Sequence, residues 1–191
     1  TVADAFANCG MRADDAILLG SPGTDVARSA ADFHLDGGRV YIGDASTDPV
    51  GWLGQMGNSL PSELNDSLGN MIGPSAGLGA DPAFDDFGAT RFRAEVPGAD
   101  MIDPGDHSYY YTPGSESLRS MTEIVTGNSH RLDELGLLAQ PRTEISFATP
   151  QSVDVPIVGE VPLPRVEVET PVISDPELSR PGGSVTSDHG Y

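Results

Sequence analysis

Apolar residues in this chain gather in short, punctuated runs rather than long periodic stretches. Residues 16–19 (AILL) are apolar throughout, the pattern of a short strand buried on both faces of a parallel sheet. Gly20-Ser21-Pro22-Gly23 turns the chain directly after them. Residues 39–43 (RVYIG) predict a second strand, entered through Asp36-Gly37-Gly38, and residues 95–102 a third. Between these runs the period changes. Residues 2–8 read as a short helix stopped by Gly10, and Asp48-Pro49 has the form of an N-cap followed by proline at the first helical position. In residues 115–126, Leu118, Met121, Ile124 and Val125 fall on one helical face, with Gly127 as a stop; residues 128–138 predict a second, shorter helix. Residues 54–90 are rich in Gly, Ser, Asn and Asp with weak periodicity, a long excursion between elements. Strand, helix, strand, excursion, strand and helix together predict an α/β fold, a parallel sheet flanked by helices.

The pattern changes near Gln140. Residues 140–191 hold eight prolines and eight valines. From Val153 to Glu169 apolar and polar residues alternate but are broken by proline, which forbids central-strand ladders and leaves edge-type or polyproline segments. The chain therefore divides into a globular part, 1–139, and an extended, acidic Pro/Val-rich tail, 140–191. A free tail of this composition is expected to be disordered. Two routes could order it: addition of its short strands to another chain's sheet edge, or draping along its own domain.

Charge narrows the function classes. The chain has 191 residues, 29 of them acidic and 10 basic, all ten arginine, for a net charge of −19. Residues 1–139 carry 21 of the acids and 7 of the arginines. That balance argues against nucleic-acid backbones and anionic membrane surfaces as partners. A single cysteine, Cys9, excludes an internal disulfide framework and reads as a packed small residue. No apolar run approaches the length of a membrane span. The opening TVADAFANCG lacks the basic and apolar regions of a signal peptide and has no initiator methionine, so Thr1 reads as the product of cleavage or of a boundary. The composition fits the cytoplasm, the cell envelope or secretion, the latter two ahead.

Candidate chemistry follows from position. In open parallel sheets, reactive side chains collect on loops past the carboxyl ends of strands. Ser21, after the first strand, lacks nucleophile-elbow spacing, and Pro22 removes an N–H that an oxyanion hole would use; it reads as turn chemistry. After the second strand, Asp44 and Asp48 are candidate acids, with helix capping the competing role for Asp48. His107 lies in Asp103-Pro104-Gly105-Asp106-His107-Ser108, before Tyr109, Tyr110 and Tyr111, which are placed to pack around the histidine loop. The order acid then histidine is the second half of the Ser, Asp, His order of α/β-hydrolases. His34, His130 and His189 have no metal-ligand companions at usable spacing. Asp81, Asp85 and Asp86 lack calcium-loop spacing and read as a solvated face. No phosphate-binding glycine motif occurs, so no cofactor or metal is implied.

The stretches AILLGSPGTDVARSAADF, VYIGDASTDPVGWLG, FGATRF and DHSYYYTPGSESLRSMTEIVTG together resemble an actinobacterial α/β-hydrolase family (formerly DUF1023), over roughly residues 1–127. The resemblance implies the carboxyl-terminal half of an α/β-hydrolase. Asp48 in T-D-P-V matches the triad acid and His107 in D-H-S the triad base. The family's serine sits in a G-H-S-x-G-type elbow whose following helix resembles TVADAFAN, so the nucleophile is expected upstream of Thr1. The implied activity is serine-dependent hydrolysis of an ester or related acyl substrate, without cofactor. The implied partner is an upstream segment of the same precursor, with residues 1–191 alone unable to form a stable, active monomer. Residues 54–90 become candidates for a lid or acyl-pocket wall. A rival makes Thr1 itself an N-terminal nucleophile, against which stands its place at a helix rather than a strand. A second competitor is a non-catalytic scaffold whose tail docks on a larger assembly.

Overall fold

The computed structural model describes residues 2–51, 79–99, 103–145, 152–155, 159–162 and 172–179. Thr1, most of the 54–90 excursion, residues 100–102, and His189 with much of the tail lie outside the described residues.

Three strands form the central sheet: β1 (Ala16–Leu19), β2 (Val40–Gly43) and β3 (Thr90–Phe92), in the order β1-β2-β3. All pair in parallel, Ala16 opposite Val40 and Tyr41 opposite Thr90. The pleat sends alternate residues to opposite faces. Ile17, Leu19 and Tyr41 join a cluster with Phe92, Tyr110, Met121, Ile124 and Leu132. Ala16, Leu18 and Val40 join Ala3, Phe6, Phe33 and Phe87 on the other face. Helix α1 (Val2–Ala7) covers the second face, while α2 (Glu116–Val125) and α3 (Arg131–Glu134) cover the first, giving three layers. β2 is buried at all four positions, whereas β1 is only partly buried beyond Ala16 and forms an edge of the described sheet.

The third strand of the described sheet is Thr90–Phe92, and residues 95–99 of the expected 95–102 strand are not extended into the sheet, the remaining three lying outside the described residues. The middle residue of β3, Arg91, breaks the apolar pattern, yet its side chain is buried against Asp175. Glu95 leaves strand geometry and turns its carboxylate to Ser46, accepting from the backbone N–H at 3.0 Å and the hydroxyl at 2.6 Å. Cys9 is exposed rather than packed, because α1 ends at Ala7 and the chain turns outward toward Gly10 at φ +69°.

Parts of residues 140–191 are built into the molecule. β4 (Thr143–Ile145) pairs antiparallel with β7 (Val172–Ser174), and β5 (Ser152–Val155) with β6 (Gly159–Pro162). Arg142 is fully buried, donating to Asp44, to Asp81 at 3.2 Å and to Asp175 at 2.7 Å. Arg91 binds both oxygens of Asp175, at 2.8 and 3.0 Å, and donates to the Asp44 carbonyl at 2.8 Å. Asp81, expected on a solvated face, is thus interior, while Asp85 and Asp86 are exposed.

Candidate functional site

The site lies past the carboxyl ends of β1 and β2. After β2 the chain runs through Asp44, Ala45, Ser46, Thr47 and Asp48, all buried, before a helical turn begins at Pro49. Opposite it, a 3-10 helix spans Pro104–Tyr111, with Asp103 as N-cap accepting from Gly105 N–H at 2.7 Å and proline in the first turn. Two contacts clamp the segments together. Asp103 N–H donates to the Thr47 carbonyl at 3.1 Å, and the Thr47 hydroxyl donates to the Asp106 carboxylate. Each joins the neighbour of a candidate residue to the other segment, and Asp48 and His107 are brought face to face.

His107 Nδ1 lies 2.8 Å from Asp48 Oδ2. Asp48 is completely buried, whereas the His107 side chain is 43% exposed. The pair is anchored at the acid and open at the imidazole. Because Nδ1 faces the carboxylate, Nε2 is the nitrogen left to serve a hydroxyl. No hydroxyl among the described residues bonds His107. Asp48 also caps its helix, Oδ1 accepting from Val50 N–H at 2.8 Å. The two readings of Asp48 in sequence, cap and acid, are therefore compatible, one per oxygen.

Two further residues shape the pair. In a 3-10 helix, residues three apart eclipse. Tyr110 therefore stands on the same face as His107, rings edge to face with centroids 6.2 Å apart, and its hydroxyl donates to Asp48 Oδ2 at 2.6 Å. Burial, the Asp44 charge and the bond to Asp48 all push the Tyr110 phenol up, so it stays protonated. Gly20 closes the other side: a β-carbon there would stand 2.7 Å from Asp48 Oδ2 and 2.8 Å from His107 Nδ1. The tyrosine cluster was visible in sequence, although Tyr111 is exposed. Gly20 had only its place at a strand end as a signal.

Asp44 holds a different role from Asp48. It is buried with Arg142 and its carboxyl is raised to about 6, first by burial, with the Arg142 charge opposing and Asp81 adding to the rise. Ser21 Oγ accepts weakly from Gly23 N–H at 3.4 Å, as a turn residue. His34 stands at the C-terminal end of a 3-10 turn at φ 49°, and His130 stands just before α3 with no side-chain cap bond to it. Among the described residues, no group of His, Cys, Asp and Glu could hold a metal ion, and no helix is long and apolar enough to cross a membrane.

A family model described as alpha/beta hydrolase matches residues 1–57, a span that takes in Asp48 and stops before His107. Two curated proteins of Mycobacterium tuberculosis, Uncharacterized protein MT2140 of strain CDC 1551 and Uncharacterized protein Rv2079 of strain H37Rv, are each 54% identical over 194 residues. Each match takes in all of this chain and 28% of the relative's length. The chain thus spans little more than a quarter of these relatives. No solved structure matches. The match over residues 1–57 and the parallel sheet with flanking helices agree on a partial α/β fold.

Proposed function

We propose, from the α/β-hydrolase match over residues 1–57, that this chain supplies the acid and the base of a Ser-Asp-His triad, the serine coming from a segment that precedes Thr1 in the same precursor. The observation that carries the reading is the 2.8 Å contact between His107 Nδ1 and buried Asp48, past the ends of parallel strands. The imidazole takes the serine proton at Nε2 as the hydroxyl oxygen attacks an acyl carbon, then returns it to the leaving group. Asp48 holds the Nδ1–H tautomer and stabilises the imidazolium. Water then repeats the cycle on the acyl-enzyme. The reaction is hydrolysis of an ester or related acyl substrate and uses no cofactor.

The partly buried edge of β1 is where the preceding segment would pair. A groove of about 390 Å³ runs beside it, lined by Val2, Ile17, Leu19, Pro22 and Tyr111 among others. Unpaired strand edges seek a neighbour, and the relatives have the chain length to provide one. The test uses the polypeptide extended upstream to include that segment. A fluorophosphonate probe should label its serine, and His107→Ala should slow labelling and ester turnover by at least about 10³-fold. Undiminished labelling in His107→Ala would remove the triad assignment.

A further inference from the structure

We propose that Tyr110 is a positioning residue for the Asp48–His107 pair, and that the buried Asp175–Arg142–Asp44 chain commits its hydroxyl proton to Asp48. A phenol has one proton to give. Two carboxylates compete for that of Tyr110: Asp48 Oδ2 at 2.6 Å and Asp44 Oδ1 at 3.4 Å. The phenol oxygen itself accepts from Ala45 N–H at 3.1 Å, which fixes its position in the loop after β2. Asp44 is engaged elsewhere. Its carboxylate receives Arg142, its carbonyl receives Arg91, and both guanidiniums are held in turn by Asp175. Arg142 holds Asp44 through Oδ2, and the Oδ1 that faces the phenol stands farther from it than Asp48 Oδ2 does, so the proton goes to Asp48.

The consequence is geometric. Asp48 Oδ1 is tied to Val50 N–H and Oδ2 receives Tyr110, so the carboxylate plane cannot turn when His107 moves. A half-exposed imidazole has freedom that a fully buried acid can remove only if the acid itself is held. Asp103 and Asp106, the charged neighbours on the histidine's own helix, are tied up in the cap and in the bond from Thr47. Tyr110 thus acts through Asp48 and touches no substrate. Asp175 brings residues 172–179 into the support of the site.

The experiment is Tyr110→Phe, which keeps the ring, in the upstream-extended polypeptide with ¹⁵N-labelled histidine. The unaltered protein should show His107 as the Nδ1–H tautomer. Tyr110→Phe should show mixed tautomers, with kcat on an ester probe reduced roughly tenfold and KM within twofold. In an Asp48→Asn background Tyr110→Phe should have no further effect, because the residue through which it acts is already altered. Asp44→Asn, which keeps Tyr110 and removes the competing charge, should leave the His107 signal as in the unaltered protein. An unchanged tautomer in Tyr110→Phe, an equal loss in the Asp48→Asn background, or mixed tautomers in Asp44→Asn would each overturn the assignment. The kinetic arm rests on the hydrolase reading. The tautomer arm does not, so a protein without turnover still decides the positioning role.

Discussion

Gly20 is the residue at which the candidate site has least room. Its φ is +48°, a left-handed conformation that side chains disfavour by roughly 1–2 kcal/mol. A β-carbon there would meet Asp48 Oδ2 at 2.7 Å and both Nδ1 and Cε1 of His107 at 2.8 Å. Asp48 cannot yield, since both its oxygens are bonded. The half-exposed imidazole must move instead, and a displacement of about 1 Å at a reacting group is worth on the order of 100-fold in rate. On the proposed triad, Gly20→Ala in the upstream-extended polypeptide is therefore expected to lower kcat far more than its roughly 1–2 kcal/mol cost in stability would suggest. Calorimetry beside ester turnover would check this, and activity within twofold of the unaltered protein would refute it. At this scale much was legible. Strand ends and chain order made Asp44, Asp48 and His107 candidates, the family resemblance singled out Asp48 and His107, and the fold brings those two within 2.8 Å of each other. Gly20 could not be picked, because its role is the absence of atoms next to residues 28 and 87 positions away. Asp81, Arg142 and Asp175 could not, because a charged residue normally faces water, and only the fold shows that these charges face each other.

Among the elements, those carried by periodic apolar positions were readable and those carried by buried charge were not. α2 was expected over 115–126 and runs Glu116–Val125, with Met121 and Ile124 packed against Phe92 beneath it. Its start is set by Ser115, whose hydroxyl accepts from Leu118 N–H at 3.0 Å. Ser115→Ala removes that cap and should cost about 1 kcal/mol. In a protein of this size that is a fall in Tm of roughly 2–4 °C, read by thermal melting; an unchanged Tm would show that the cap contributes nothing. β1 and β2 were likewise expected, since short apolar runs that stop at Gly20 and Gly43 leave few alternatives. β3 was displaced by several residues because Thr-Arg-Phe has a cation at its centre. The apolar pattern cannot mark a strand whose middle side chain is buried by pairing with Asp175, a residue 84 positions away. The same reason hid β4 and β7, whose short antiparallel pairing flanks Arg142 and Asp175.

For the whole molecule, the net charge of −19 has an interior counterpart. Arg91 and Arg142 share a buried region with Asp44, Asp81, Glu95 and Asp175, so ionised acids outnumber the guanidiniums there. The imbalance is relieved by protons. Burial pushes Glu95 up to about 7, against the opposing bonds from Ser46, and Asp44 up to about 6. Asp175 is the exception: burial would raise it, but the bonds and charges of Arg91 and Arg142 prevail and hold it low. For Glu95 and Asp44 the folded chain keeps protons that the unfolded chain releases near pH 4. Stability from these two groups is therefore complete below about pH 4 and is lost as pH rises through about 6 and 7. Asp175 runs the opposite way, its contribution present above the ordinary carboxylate range and lost as pH falls below it. The molecule is thus expected to be most stable in mildly acidic solution, with a decline between about pH 5 and 8 worth a few kcal/mol. Denaturant unfolding across that range should show the slope, and Glu95→Gln, which keeps an acceptor for Ser46 and cannot ionise, should remove the larger part of it. A stability profile that rises from pH 5 to 8, or a slope unaltered in Glu95→Gln, would mean that the buried acids are all ionised together and that the two arginines suffice to hold them.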